Sequence, residues 1–177
     1  MARGRAAGDP GQAGRPRHAG HAARGEIIIA PATPADLDAI DEIERHSFAR
    51  PWPRQAFEAE LTREVARLDV ARETAIIGFC NYWIVVDPHG RGGEVHILAI
   101  ATHPDHRRAG VGAALLGHAL AQGRARNASL ATLEVRRGNT PAIALYEHAG
   151  FRTVHVRRQY YQDNSEDALV MITELTP

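Results

Sequence analysis

One cysteine, Cys80, is all the sequence carries, so no internal disulfide can form and small disulfide-stapled scaffolds are excluded. It ends the apolar run Ile76-Ile77-Gly78-Phe79-Cys80, which gives it the role of a small buried hydrophobe and points to a reducing compartment. No stretch approaches the roughly 18 to 20 consecutive apolar residues that a membrane span needs. The N-terminus also lacks the apolar middle of a secretory signal, so a soluble cytoplasmic protein is expected. Neither sign of charge is in excess: Lys plus Arg is 21 and Asp plus Glu is 21. No bulk field therefore favours nucleic acid or an anionic membrane, and a charged partner has to be recognised locally. His96, His103, His106, His118, His148 and His155 scatter over different elements without a repeated ligand spacing, so no metal is expected. There is no internal repeat.

What is present divides into a tail and one domain. Residues 1 to 25 hold almost only Gly, Ala, Arg, Pro and His, and cannot bury enough apolar surface to offset chain entropy. They read as a disordered extension whose arginines (Arg3, Arg5, Arg15, Arg17, Arg24) face one acid, Asp9. Residues 26 to 177 suit a single domain. Glu26 to Ala30 is a short β-branched strand, and Thr33-Pro34 caps and opens a helix with Leu37, Ile40, Ile43 and Glu44 on one stripe. A second helix runs from Arg54 to Arg63 with Phe57 and Leu61 inward. Ala75 to Val86 and Glu94 to Thr102 form a long antiparallel hairpin across turn-forming residues Asp87 to Gly93. A helix from Gly110 to Arg126 buries Val111, Leu115, Ala119 and Leu120; Leu130 to Arg136 is a strand of alternating faces. Asn139-Thr140-Pro141 starts another helix that Gly150 ends, and strands near Phe151 to Tyr161 and Ala168 to Glu174 close the chain. The expected order is β-α-α-β-β-β-α-β-α-β-β, an α/β fold on a mixed sheet, with only two of the three central strands given residues.

The stretch richest in chemistry is Arg107-Arg108-Ala109-Gly110-Val111-Gly112-Ala113, between a strand and a helix. Successive backbone N–H groups at a helix N-terminus converge on one concavity, and the dipole there carries about half a positive charge, so a diphosphate can bind. A Walker loop is excluded because no Lys-Ser or Lys-Thr follows the glycines, and a dinucleotide fingerprint because the third small residue is missing. A helix with glycines for close packing is the plain alternative.

Arg107, Gly110 and Gly112 match the acetyl-CoA loop of the GNAT superfamily, Gln or Arg, two residues, Gly, one residue, Gly or Ala. The resemblance extends over Glu26 to Leu175. More narrowly, Pro51-Trp52, Ile100-Ala101, His103-Pro104-Asp105, Leu133-Glu134-Val135-Arg136, Asn139 and Ala142 to Glu147 resemble the RimI group of ribosomal-protein alanine N-acetyltransferases. So do Gly150-Phe151, Arg157-Arg158, Tyr160-Tyr161 and Glu166-Asp167-Ala168. The N-terminal tail, Ala99 and Thr102 depart from it, and none of these removes a reactive group.

The resemblance implies a GNAT fold: a mostly antiparallel sheet splayed at an acetyl-CoA site and flanked by about four helices. It implies that the backbone at Ile100, Ala101 and Thr102 pairs with the pantetheine, that the loop from Arg107 to Ala113 takes the pyrophosphate, and that Asn139 touches the coenzyme. Glu134 becomes the general base, against the plainer reading of a cross-strand ion pair with an arginine. Tyr146 becomes the general acid, against half-buried packing. An ordinary phenol near 10 can serve a thiolate whose conjugate acid is near 8.5 at an uphill cost of about 2 kcal/mol. The implied partner is a protein N-terminus, an alanine of a small-subunit ribosomal protein, with Trp52, Tyr160 and Tyr161 as peptide-facing residues; packing is the alternative for Trp52. Acetylation of a small amine such as a polyamine or aminoglycoside, or a non-catalytic acyl-CoA sensor, stay open.

Overall fold

The computed structural model describes residues 26–87 and 92–175. The expected tail at 1–25, the tip of the long hairpin at 88–91 and the final two residues lie outside them. The chain runs β1 (Ile28–Pro31), α1 (Leu37–Ser47), α2 (Arg54–Thr62), β2 (Ala66–Arg72), β3 (Ile76–Val86) and β4 (Gly93–Thr102). It continues with α3 (Val111–Arg124), β5 (Leu130–Arg136), α4 (Thr140–His148), β6 (Arg152–Tyr161) and β7 (Glu166–Glu174). Short 3-10 turns at Pro34–Asp36 and Pro104–His106 precede α1 and α3. Pro34 thus opens a 3-10 turn, not the α-helix itself. The element order is the one expected.

The strand without assigned residues is β2. Its alternation is real, but polar residues stand on a face that is buried: Asp69 is 4% exposed and accepts a 2.6 Å hydrogen bond from the Tyr82 hydroxyl. A sheet covered on both faces hides such a position from a polarity pattern.

The seven strands lie in the order β1-β2-β3-β4-β5-β7-β6. Every neighbouring pair is antiparallel except β4 with β5. The sheet is therefore mixed and mostly antiparallel, with four α-helices on its two faces. On one face Leu37, Ile40, Ile43 and Phe57 of α1 and α2 pack on Leu68, Val70, Phe79 and Ala101. On the other, Val111, Leu115, Leu116, Ala119 and Leu120 of α3 pack on Cys80, Tyr82, Val95 and Leu133. Cys80 is fully buried, as expected, and burial pushes its thiol up.

Two details open the sheet. The parallel pairing of β4 and β5 runs only from Glu94↔Leu130 to Ile97↔Leu133 and then stops. Within the β3–β4 hairpin the register shifts between Asn81↔Ala99 and Tyr82↔Ile97, which leaves Leu98 as an extra residue on β4. A bulge increases local twist and bends its strand, so β4 turns away from β5 at the residue after their last shared rung. Leu98 to Thr102 and Glu134 to Arg136 become the two lips of a cleft.

Candidate active site

A cavity of about 550 Å³ occupies that cleft. The lips supply Leu98, Ala99, Ile100, Glu134 and Arg136; α4 and its cap supply Asn139, Ala142 and Tyr146. The segment from α1 to α2 closes one side with Glu44, Phe48, Arg50 and Trp52, and the β6–β7 end closes the other with Tyr160, Tyr161 and Asp163. Of the residues singled out from sequence, Ile100, Glu134, Asn139, Tyr146, Trp52, Tyr160 and Tyr161 are brought together here. Ala101, Thr102 and the loop from Arg107 to Ala113 do not line this cavity. They lie at the end of β4 and in the turn into α3, where Gly112 fits between Thr102 and Leu145: a Cβ there would stand 3.7 and 3.4 Å from their side-chain atoms.

That turn has unusual backbone and room beside it. Arg108 and Gly110 both take left-handed backbone, φ 60° and 85°, a conformation costly for an L residue and free for glycine. A Cβ on Gly110 would meet nothing within 4 Å, so open space lies beside the turn. Gly110 is the N-cap of α3, and the first N–H groups of that helix have no intrahelical acceptor. The Arg107 guanidinium turns inward instead: Nε donates to the Thr102 carbonyl at 3.3 Å and Nη2 to the His46 carbonyl at 3.2 Å. It ties the turn to β4 and to the end of α1, while Arg108 beside it is exposed.

Glu134 sits on the polar face of β5, as the alternation requires, with its side chain one-quarter exposed. Both oxygens are held. Arg157 Nη1 donates to Oε1 at 3.1 Å, so the cross-strand ion pair weighed as the alternative exists, and His96 Nε2 lies 2.9 Å from Oε2. Tyr146 is 6% exposed, with its ring tilted against Phe151 at 5.8 Å. Burial pushes its phenol well above the ordinary value of 10, so the hydroxyl keeps its proton throughout the working range and gives it up less readily than an ordinary phenol. Asn139 Oδ1 accepts from the Ala142 N–H at 3.3 Å and caps α4. Trp52 packs against Phe57 at 5.6 Å and also lines the cavity, so packing and exposure to a ligand coexist.

Three residues that shape the site are named in the sequence without a role in it. Glu44 is 1% exposed; its Oε1 accepts the Trp52 N–H at 2.9 Å and its Oε2 has no partner. Burial, against the opposing Trp52 hydrogen bond, pushes its carboxyl up to about 7. A signal was available: Glu44 occupies the apolar stripe of α1, one turn after Ile40. Arg136 reaches from the lip to the β6–β7 turn, donating to Asp163 at 2.8 Å and Glu166 at 3.1 Å, with its guanidinium 3.8 Å from the Tyr161 ring centroid. His96 entered only as a metal candidate, and among the described residues no group of three or more His, Cys, Asp or Glu could hold a metal ion.

A mixed sheet parted beside a bulge, with a glycine turn opening the next helix, is the architecture of an acyl-CoA-dependent N-acetyltransferase. The acetyltransferase (GNAT) family profile matches residues 37–151, and the chain belongs to that family. It is similar to the [ribosomal protein bS18]-alanine N-acetyltransferase of Escherichia coli (strain K12), 34% identical over 138 residues, 77% of this chain and 89% of that protein. It is likewise similar to a putative [ribosomal protein bS18]-alanine N-acetyltransferase of Bacillus subtilis (strain 168), 35% identical over 138 residues, 77% of this chain and 87% of the relative. The crystal structure of the ribosomal-protein-S18-alanine N-acetyltransferase from Escherichia coli superposes with a TM-score of 0.76 at 32% identity, covering 86% of this chain and 96% of that one. The protein is an acetyltransferase related to the RimI enzymes, and its family implies acetyl-CoA as the acetyl source. No helix among the described residues is long and apolar enough to cross a membrane.

Proposed function

We propose that this enzyme acetylates the α-amine of a protein N-terminus, an alanine of a small-subunit ribosomal protein, with Glu134 as base and Tyr146 as acid. The observation that carries the reading is that both side chains line one cavity between the parted strands. Bound acetyl-CoA would supply the thioester carbonyl; the turn from Arg107 to Ala113 would hold its pyrophosphate and the lip from Ile100 to Thr102 its pantetheine arm. The open space beside Gly110 and the lack of strand partners on the β5 side of that lip fit such a ligand.

The chain's own groups then have separate tasks. Glu134, held by two donors, takes the proton that the substrate ammonium must lose before nitrogen can attack. Tyr146 donates to the departing thiolate from the α4 side. An α-amine with pKa near 7.7 to 8.0 is roughly 10 to 20% free base at pH 7, against roughly 0.04% for a lysine, so a carboxylate suffices as base. The acids of the cavity also speak to substrate class. Glu134 is paired with Arg157 and Asp163 with Arg136, and Glu44 is buried with one oxygen on the Trp52 N–H, which counts against a cluster of exposed carboxylates for a polyamine. The presence of both proton-transfer groups counts against a silent acyl-CoA sensor.

The test is mass spectrometry of short peptides beginning with Ala or with other residues, incubated with acetyl-CoA. Wild type should add one acetyl group at an N-terminal Ala, and Glu134→Gln should lose about 10² to 10⁴ in rate, the range for a positioned general base. No acetylation of any peptide, with acetyl-CoA still bound, would redirect the reading to a small amine.

A further inference from the structure

His96 is the residue whose place the proposed chemistry has not yet used. It belongs to β4 at the register His96↔Thr132, one rung before the last shared by β4 and β5. Glu134 stands two residues beyond Thr132 on the same face of β5 and is the first residue past the end of the pairing. A carboxylate accepts and cannot donate, so the 2.9 Å contact is an Nε2–H bond from the imidazole to Oε2.

The ring is itself fixed. Trp83, its antiparallel partner on β3, meets it edge-on with centroids 6.5 Å apart and planes at 80°. The Trp83 indole in turn donates to Glu60 Oε2 of α2 at 2.5 Å and carries Arg63 over its face at 5.1 Å. The neighbouring Glu94 does not compete for the imidazole in this arrangement, since its Oε1 accepts from the Thr132 hydroxyl. A chain of contacts, Glu60 to Trp83 to His96 to Glu134, therefore runs from the outer helix to the lip of the cleft.

We propose that His96 is a positioning residue for Glu134: its Nε2–H fixes one carboxylate oxygen while Arg157 fixes the other, holding the carboxylate at the point where β4 and β5 part. Without the imidazole, Glu134 keeps a single donor on a side chain that is 47% exposed, and its long stem can swing about that contact. Two donors set the plane of a carboxylate; one does not. Loss of orientation acts on the reacting geometry and leaves the binding of either substrate alone.

This inference rests on Glu134 being the base, and the experiment separates the two. Steady-state rates are measured with an N-terminal-Ala peptide for wild type, Glu134→Gln, His96→Ala and His96→Gln, each checked for an unchanged thermal midpoint. His96→Ala should lose about tenfold in kcat with both KM values within about twofold, and His96→Gln, which restores an N–H at similar reach, should recover to within about threefold of wild type. Wild-type kcat in His96→Ala, a loss confined to KM, or an equal loss in the Gln and Ala variants would each overturn the positioning role. If Glu134→Gln is silent while His96→Ala is normal, only the His96 inference falls; if Glu134→Gln runs at the wild-type rate, the base assignment falls with it.

Discussion

The two ends of the cleft are built from different materials. At the end proposed for the coenzyme, the turn before α3 offers backbone: left-handed residues, a glycine with open space beside it and helix N–H groups without acceptors. Of its two arginines, Arg107 is spent on holding the turn to β4 and α1, and Arg108 is exposed. At the opposite end, the α1–α2 segment and the β6–β7 turn offer side chains: Trp52, whose backbone N–H is held by Glu44, Tyr160 under Arg157 and Tyr161 under Arg136. The difference teaches where variation can enter. A backbone cradle needs open space and no particular side-chain chemistry, whereas a wall of aromatics on charged supports can be retuned by one substitution.

The largest expected effect tests how far the supports of that second wall depend on pH. Glu44 holds the Trp52 N–H with a buried carboxyl whose value near 7 lies above the ordinary 4.5. Because the folded state binds that proton more tightly than the unfolded chain, its contribution to stability is complete below 4.5 and is lost as pH rises through 7. Glu44→Gln keeps an acceptor for Trp52 and removes the titration. Relative to wild type, the variant should gain about 2 to 3 kcal/mol between about pH 5 and pH 8 in denaturant unfolding. A constant difference across that range would show that folding does not raise the Glu44 carboxyl above its unfolded value.

The next effect separates the two ends directly. Arg136 links β5 to the β6–β7 turn through Asp163, Glu166 and the Tyr161 ring. Arg136→Ala should raise KM for the peptide about tenfold while KM for acetyl-CoA stays within about twofold. Equal changes in both constants would mean that the two ends are mechanically one unit and the comparison fails.

The same division decides what could be read from the sequence. Arg107, Gly110, Gly112 and Asn139-Thr140-Pro141 are legible because each acts within a turn of its neighbours, and helix starts are local events. The order of elements and the alternation of β5, which sends Glu134 away from the core, follow from periodicity for the same reason. The supports of the other wall are long-range. Arg136 finds its acids 27 and 30 residues away, His96 finds Glu134 at 38, and Glu60 finds Trp83 at 23. The bulge at Leu98 has no sequence mark at all, since it follows from how β3 and β5 divide β4 between them. The residues of β2, though not its place in the order, are illegible because Asp69, polar by composition, is buried with a partner that only the fold supplies.

The smallest effect concerns the backbone cradle, and its sign distinguishes a ligand site from packing. Gly112 is the second residue of α3, and a Cβ there would meet Leu145 and Thr102 only at ordinary contact distances of 3.4 and 3.7 Å. Nothing in the protein therefore requires glycine at this position. In a helix, Gly→Ala stabilises by about 0.5 to 1 kcal/mol through propensity and the loss of unfolded-state freedom. If glycine is there so that a pyrophosphate can come close, Gly112→Ala should unfold at a slightly higher temperature and yet bind acetyl-CoA about fivefold more weakly by calorimetry, a loss of about 1 kcal/mol. Stability and affinity moving in opposite directions is a result that packing cannot produce. A variant with a higher midpoint and unchanged affinity would place the phosphates elsewhere along the turn, with Gly110 as the point of closest approach.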